Sequence, residues 1–444
     1  MRFWKRGVFL TMGAALTLGV TAFATVAPIK AGQTAKPTAS PTFTRDVAPI
    51  LFQNCVSCHR PGQVAPFALA SYQDAKKRAA MIAAVASQRV MPPWKPDSRG
   101  EFQHERRLTD AQIATLKRWA ERGAPLGKPA DLPPTPKFPP GWALGVPDLT
   151  LEPGEAYPVE AEGRDVYRCF VVPTRFAEDR YVSALDVRPG NRAVVHHVLA
   201  YVDTSGKARE RDAKDPGPGY TTGGGVGFLP AGMLGGWAPG AMPARLPTGT
   251  GVLLPKGADV VLEVHYHKSG KPETDRTKVG IYFAPGAQAT AVAQPVRFFP
   301  LANMGLRIPA GASDHEVRAE LTVPADVTIL NVFPHMHMLG RQMTLTATLP
   351  DGTQKRLIHM PDWDFNWQGF YTYKEPLRLP RGSRVQLVAR YDNSLANPRN
   401  PNNPPRTMTW GEQTTDEMCL AYLGFTVDAE RGRPQNSEKV SARK

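Results

Sequence analysis

An all-α domain followed by all-β architecture is the fold class that the sequence predicts, in a chain of 444 residues with room for several domains. Two patterns predict it. Residues 36–128 carry apolar positions at helical spacing, whereas beyond Gly141 the chain breaks into short apolar or alternating runs punctuated by Gly, Pro and Asp. Between them, residues 129–144 hold most of the segment GKPADLPPTPKFPPGW, whose prolines forbid a continuous helix and favour a stiff, extended linker.

Taken in order, the chain opens with Arg2, Lys5 and Arg6. An apolar run from Gly7 to about Ala24 follows, with small residues at Ala22, Ala24 and Ala27. This is the pattern of a signal peptide over residues 1–27, directing the chain to the periplasm or outside the cell. A retained anchor is the alternative, because the run approaches spanning length. No later stretch is apolar enough to span. The net charge of +14 stays basic once the leader is removed. No basic helix or aromatic–basic interleaving accompanies it, so a solvated surface is expected and no nucleic-acid partner. Four cysteines are too few for a disulfide scaffold.

Two of those cysteines stand in Cys55-Val56-Ser57-Cys58-His59. Thiols one helical turn apart can bond the two vinyl groups of a porphyrin while the adjacent imidazole ligates the iron, so the motif predicts one covalent haem c. Met91, in Val90-Met91-Pro92-Pro93-Trp94, is the expected sixth ligand, with Met81 as runner-up. The run TDAQIATLKRWAERG predicts a closing helix that starts at a Thr109–Gln112 capping box and stops at Gly123. On CVSCH, MPPW and that helix, residues 36–128 resemble a small monohaem cytochrome c domain of the kind fused to bacterial redox modules. The resemblance implies single-electron delivery.

In the later part VVHHVLAYV, VVLEVHYH, KVGIYFA, TLTATL and RVQLVARY read as antiparallel strands, with Asp351-Gly352 a hairpin turn. The tail 429–444 is polar, and disorder is expected there. Three histidine clusters fall in this region: His196-His197, His265-Tyr266-His267 and His335-Met336-His337. Residues two apart on a strand face the same way, so His335 and His337 are a natural chelating pair, whereas His196 and His197 need a bulge or a strand end to converge. A nearby thioether would bias such a site toward Cu(I). His104, His315 and His359 have no partner at ligand spacing. Trp363, Phe365 and Trp367 alternate as if on one strand face. Core packing is their first reading, with a substrate wall or an electron path as the alternative. The glycine-rich TTGGGVGFLPAG lacks the βαβ surroundings of a nucleotide loop and reads as a mobile loop.

Four segments in the same order, RAVVHHVLAYV, WAPG with the later LEVHYH, PHMHMLGR and DEMC, resemble the copper type II ascorbate-dependent monooxygenases, the family of peptidylglycine alpha-hydroxylating monooxygenase and dopamine beta-hydroxylase. The likeness spans roughly residues 145–425. It implies two jelly-roll-like sandwiches, over 145–295 and 296–428, facing each other across a wet cleft. It further implies an electron-storing copper on His196, His197 and His265, and an oxygen-activating copper on His335, His337 and Met418. His267 is expected as an outer-layer or surface residue.

The sequence also departs from that family. Phe333 stands where the peptide-processing members carry an arginine that grips the substrate carboxylate. Tyr422 matches a substrate-contacting tyrosine, but its neighbourhood is less polar because of Leu420. A peptidylglycine substrate is therefore not expected, since an unpaired buried carboxylate is costly. Cys169 and Cys419 lack their family partners, which leaves free thiols or one unexpected bridge between them. The expectation is thus a cytochrome c domain and two sandwiches forming an exported copper-dependent monooxygenase. It would use O2, a small-molecule substrate and an ascorbate-like reductant or periplasmic redox protein. A non-enzymatic haem and copper electron-transfer or copper-binding protein, and peroxide chemistry at an open haem, are the alternatives.

Overall fold

The computed structural model describes residues 40–431, apart from 62, 64, 139–140, 240 and 286–293. The leader 1–27 and nearly all of the tail 429–444 lie outside the described residues. Strands dominate, with 22 of them against five α-helices among the described residues. No helix there is long and apolar enough to cross a membrane.

The first pair of sheets follows from strands whose two faces meet different neighbours. One sheet orders Leu149–Leu151, Lys278–Phe283, Arg180–Arg188, Thr250–Leu254 and Gln294–Pro295. Its partner orders Tyr220–Thr222, Val166–Pro173, Asp259–Tyr266, Val195–Asp203 and Gly232–Trp237. Val182, Val187, Val252 and Ile281 of one meet Val198, Val202, Leu262 and Val264 of the other in a shared core. Every residue of Asp259–Tyr266 is buried, so this strand is covered on both faces. One face lines the core through Val260, Leu262 and Val264, and the other presents Val261, Glu263 and His265.

A second pair of sheets takes over just after Gln294–Pro295. That short strand pairs in parallel with Thr250–Gly251, and the next one, Arg297–Ala302, pairs with Leu420–Val427 instead. Here one sheet orders Arg297–Ala302, Leu420–Val427, Val327–His335 and Tyr371–Leu379, and the other His315–Thr322, Arg384–Tyr391, Gly340–Thr348 and Gln354–Met360. Strand Arg384–Tyr391 shows why the pairing register is fixed. Val385, Leu387, Ala389 and Tyr391 are buried while the residues between them are not, so a one-residue slip would expose the whole apolar set. The Asp351-Gly352 turn joins two of these strands, with Gly352 at φ 84° and Thr353 N–H donating to Asp351 Oδ1 at 2.8 Å.

The expected all-α cytochrome c domain is overturned by this architecture. The amino-terminal helices are few and short, the longest being Asp110–Glu121, and they are linked by irregular stretches rich in Pro and Gly. Nor do they separate from the strands, because the described chain from Pro41 onward is one compact unit. The physical cause is visible between Met91 and Glu105. Phe102 is buried in the core of the second sheet pair and stacks on Tyr373 at 5.0 Å, while Trp94 meets Tyr371 edge-on at 5.4 Å. Asp97 N–H donates to His359 O, Gln103 N–H to Thr372 O and Lys374 N–H to Glu101 O, each at 2.8 Å. This stretch completes the core of the β part. The capping box Thr109–Gln112 does start the Asp110–Glu121 helix.

Trp363, Phe365 and Trp367 are not on a strand. They occupy the irregular segment 361–370 between Gln354–Met360 and Tyr371–Leu379, where two buried polar anchors replace a ladder: Trp363 Nε1–H donates to His337 O at 3.1 Å and Gln368 Nε2–H to Phe365 O at 2.9 Å. The glycine-rich loop is held down by contacts. Tyr220 OH donates to Val226 O at 3.0 Å, and Gly225 N–H donates to Glu263 Oε1 at 3.0 Å.

Candidate metal centres

The face of Asp259–Tyr266 that carries His265 looks toward the second sheet pair, and the adjacent strand Val195–Asp203 supplies His196 and His197. Between these strands the register jumps from Val195↔Tyr266 to His197↔His265, so His196 is an extra residue in a bulge. That irregularity turns two sequence neighbours to the same side. The result is a three-histidine group whose ligand atoms all lie within 4.8 Å of one another. The Nδ1 atoms of His196 and His197 are 3.2 Å apart, and those of His197 and His265 3.4 Å. Burial drives all three imidazoles toward the neutral form, pushing His196 down to about 3, which is the state a metal ligand needs.

Asp165 orients this cluster. Its carboxylate lies 3.1 Å from His265 Nε2 and 2.9 Å from His267 Nδ1 and accepts a hydrogen bond from Thr414 Oγ1. Burial pushes that carboxyl up, but the contacts from His265, His267 and Thr414 outweigh it and hold it ionised. The Asp165 carboxylate thus stands close behind His265, whose Nδ1 faces His197. His267 is exposed and serves only through Asp165. Tyr167 stacks on His265 at 4.2 Å, and its hydroxyl donates to Glu412 O at 2.6 Å, so the cluster is tied to the segment that leads to Met418.

The second group stands at a strand end, with His335 the last residue of Val327–His335 and His337 two residues beyond it. Met336 is fully buried in the core, so His335 and His337, on either side of it, share the opposite direction, and both are buried. Their rings meet at 5.1 Å, nearly perpendicular. His335 Nδ1 is 2.6 Å from Gln368 Oε1, and His337 Nδ1 is 3.3 Å from Asp416 O. Both Nδ1 atoms act as donors to oxygen, which leaves the two Nε2 lone pairs available. Burial holds both rings neutral, His335 at about 4. Leu420 is the register partner of His335, which brings the backbone of the buried Met418, two residues earlier, to this end of the strand. Glu417 clamps the two segments together: Oε2 accepts from His337 N–H at 2.7 Å and Met418 N–H at 2.9 Å, and Oε1 from Leu339 N–H at 2.9 Å. Burial pushes Glu417 up to about 8 against those hydrogen bonds.

Phe365 stands between the groups. Its ring stacks on His196 at 4.6 Å and meets His337 edge-on at 5.7 Å, so an aromatic side chain occupies part of the space where the family resemblance implies a wet cleft. Phe333 stacks on Phe370 at 4.5 Å and lies 6.3 Å from Tyr422. Burial pushes the Tyr422 hydroxyl up to about 12, so it remains a proton donor. Cys169 and Cys419 are both buried free thiols.

A separate apolar cavity of about 360 Å3 lies beside the amino-terminal motif, lined by Cys55, Cys58, His59, Met81, Met91, Leu116 and, from the β part, Trp367. His59 Nδ1 is 3.1 Å from Phe67 O, which fixes that nitrogen as a donor and leaves Nε2 free. Both candidate sixth ligands border the cavity. His104, His315 and His359 join none of these groups. His359 Nδ1 pairs with Thr344 Oγ1 at 2.8 Å instead.

Residues 312–438 match the family model of the copper type II ascorbate-dependent monooxygenase C-terminal domain. Over that segment the chain is similar to those monooxygenases. His335, His337, Met418 and Tyr422 fall inside the matched segment, whereas His196, His197 and His265 fall outside it. DBH-like monooxygenase protein 1 of Homo sapiens is 25% identical over 276 residues, covering 57% of this chain and 43% of that protein. The protein of the same name from Gallus gallus is 24% identical, covering 42% of this chain and 32% of that protein. The chain therefore spans less than half the length of the curated relatives it matches. Among solved structures, PNGF-II is 9% identical with a TM-score of 0.27, covering 62% of this chain and 65% of that one, a likeness too slight to carry an argument.

Sequence reasoning found the histidines and missed their supports. Asp165, Gln368 and Phe365 reach the clusters only through folding, and nothing in their local sequence marks them. Glu417 was in view within DEMC but had no signal of its own role.

Proposed function

We propose that this chain is an exported copper-dependent monooxygenase that hydroxylates a C–H bond of a small organic substrate with O2, drawing electrons through a haem attached at Cys55 and Cys58. The observation that carries the reading is the pairing of two groups of imidazoles held neutral by burial, one of them inside the segment that matches the family model, where the buried Met418 also falls. Imidazole with thioether suits copper in its two oxidation states. His196, His197 and His265 would hold one ion, and His335, His337 and Met418 the other. Bound copper would supply one-electron redox chemistry and the activation of O2.

The protein's own residues then have definable tasks. Gln368 and the Asp416 carbonyl hold His335 and His337 in the tautomers that ligation needs, Asp165 sets a carboxylate behind His265, and Glu417 keeps the Met418 and His337 segments in register. Phe333, Phe370 and Tyr422 form an aromatic wall with one hydroxyl donor, which fits an apolar or aromatic substrate rather than a carboxylate. Balanced, the reaction takes RH, O2, two electrons and two protons to ROH and water. Support for the haem comes from the CVSCH motif beside an apolar cavity, with His59 held by Phe67 O. His59 and Met91 would be its axial ligands. An ascorbate-like reductant or a periplasmic redox protein would supply the electrons.

A second reading, an electron-transfer or copper-binding protein without catalysis, draws on Phe365, which fills part of the space where substrate would bind. One experiment separates them. Protein with two coppers per chain and its haem reduced is incubated with oxygen and small apolar and aromatic compounds, following oxygen uptake and hydroxylated product. Substrate-dependent uptake is expected. Absence of uptake with every compound, despite full copper occupancy, would leave the second reading standing.

A further inference from the structure

We propose that the loop 361–370 is an electron relay, in which Trp367 and Gln368 connect the cavity beside Cys55, Cys58 and His59 to His335, and Phe365 connects the two histidine clusters. The inference rests on the reading of that cavity as a haem site and of the clusters as copper sites.

Three contacts by one short segment argue for it. Trp367 forms part of the wall of the cavity that the cysteine motif also lines. Gln368 is its covalent neighbour, and the Gln368 side chain meets His335 Nδ1 at 2.6 Å. Phe365 lies against His196 on one side and His337 on the other. The Gln368 amide also donates to Phe365 O, so the contacts are coupled through a single side chain. An electron leaving the cavity therefore has a route of one indole ring, a short stretch of covalent chain and one hydrogen bond to a ligand of the second cluster.

The segment is also held still. Trp363 is fully buried and donates to His337 O, and Lys95 pairs with Asp362 at 2.9 Å, tying the start of the loop to the Met91–Trp94 stretch that borders the cavity. A fixed path of this kind needs little reorganisation when charge moves. A loop serving only as filler would not need its three contacts to fall on three different sites.

The step is a one-electron exchange. With iron held at His59 and copper at His335, His337 and Met418, the iron would lose the one electron that the copper gains, with no bond made or broken. The electron first enters from an external one-electron donor, a photogenerated flavin semiquinone in the test.

Flash reduction of the full-length holoprotein under anaerobic conditions reads the relay directly. Haem reoxidation is followed optically, and loss of the Cu(II) signal is followed by freeze-quench paramagnetic resonance. The expected result is a reoxidation rate independent of protein concentration and matched by Cu(II) loss. Trp367→Leu and Trp367→Met should slow it several-fold, and Trp367→Phe should stay near the parent rate, with covalent haem and copper content unchanged in each. Two aliphatic variants guard against one failing to fold. Parent-like rates in Leu or Met variants that retain haem and copper would overturn the relay. So would a parent protein whose haem is reoxidised only by collision between molecules, although both metal assignments would then stand. A parent lacking covalent haem by its alkaline pyridine spectrum would overturn the haem reading together with the relay.

Discussion

The histidine cluster on the first sheet pair arises from a bulge within a strand, and the one on the second forms where a strand ends. His196 and His197 converge because a bulge breaks the register opposite His265, and their cluster gathers around Nδ1 atoms. His335 and His337, the last residue of its strand and the second beyond it, converge because Met336 between them turns into the core, and their Nδ1 atoms are spent on Gln368 and Asp416. The outer partner differs accordingly: an ionised carboxylate behind the first group, and a neutral amide with a main-chain carbonyl behind the second. A carboxylate partner makes an imidazole more electron-rich, which favours the higher oxidation state of a bound ion, whereas a thioether favours the lower. Two similar sets of imidazoles are thereby made chemically unequal by what stands behind them.

Removing ligands is the harshest way to break that comparison. His337→Ala should lower copper from two ions per chain to one, and His196→Ala should do the same at the other site, measured as metal content after removal of unbound copper. If either change emptied both sites, the clusters would not be separate. The next effect concerns the clamp. Glu417→Ala leaves three buried N–H donors without their acceptor and should cost on the order of 3 kcal/mol or more of unfolding free energy, seen as an earlier denaturant midpoint, with Glu417→Gln retaining part of it. An unchanged midpoint would show that the clamp is dispensable.

Smaller effects sharpen the contrast. Asp165→Asn should weaken copper at the first cluster by roughly 10–100-fold and leave the second unaltered, while Gln368→Ala should do the reverse, since outer partners of metal ligands act on that scale. Titration with a copper chelator resolves the two affinities, and equal losses at both sites in either variant would count against assigned partners. The smallest effect is nil: a thiol reductant should leave the melting temperature of the copper-free protein unchanged, because Cys169 and Cys419 are free. A drop would reveal a bridge.

Much of the candidate site was legible in the sequence, for a specific reason. His335, His337 and the need for a bulge at His196 follow from the two-residue period of strands, which is a local property. Asp165 could not be found that way, because its place beside His265 depends on how Val166–Pro173 pairs with Asp259–Tyr266. Trp363, Phe365 and Trp367 misled for the opposite reason. Their spacing imitates a strand, yet the segment carries no ladder and each ring goes to a different environment. The all-α expectation failed similarly: helical spacing was read correctly over Asp110–Glu121, but Trp94 and Phe102 complete a β core rather than a helical one.

By itself the sequence determined the donor inventory and the local periods: a CVSCH motif, six histidines in three clusters, and alternating strands that could bury only one face. Tertiary structure alone decided which of those donors meet, which nitrogen each imidazole offers, and that one loop touches all three groups. The physical reason is that periodicity acts over a few residues, whereas tautomer, burial and contact depend on the strand or loop that folding places alongside.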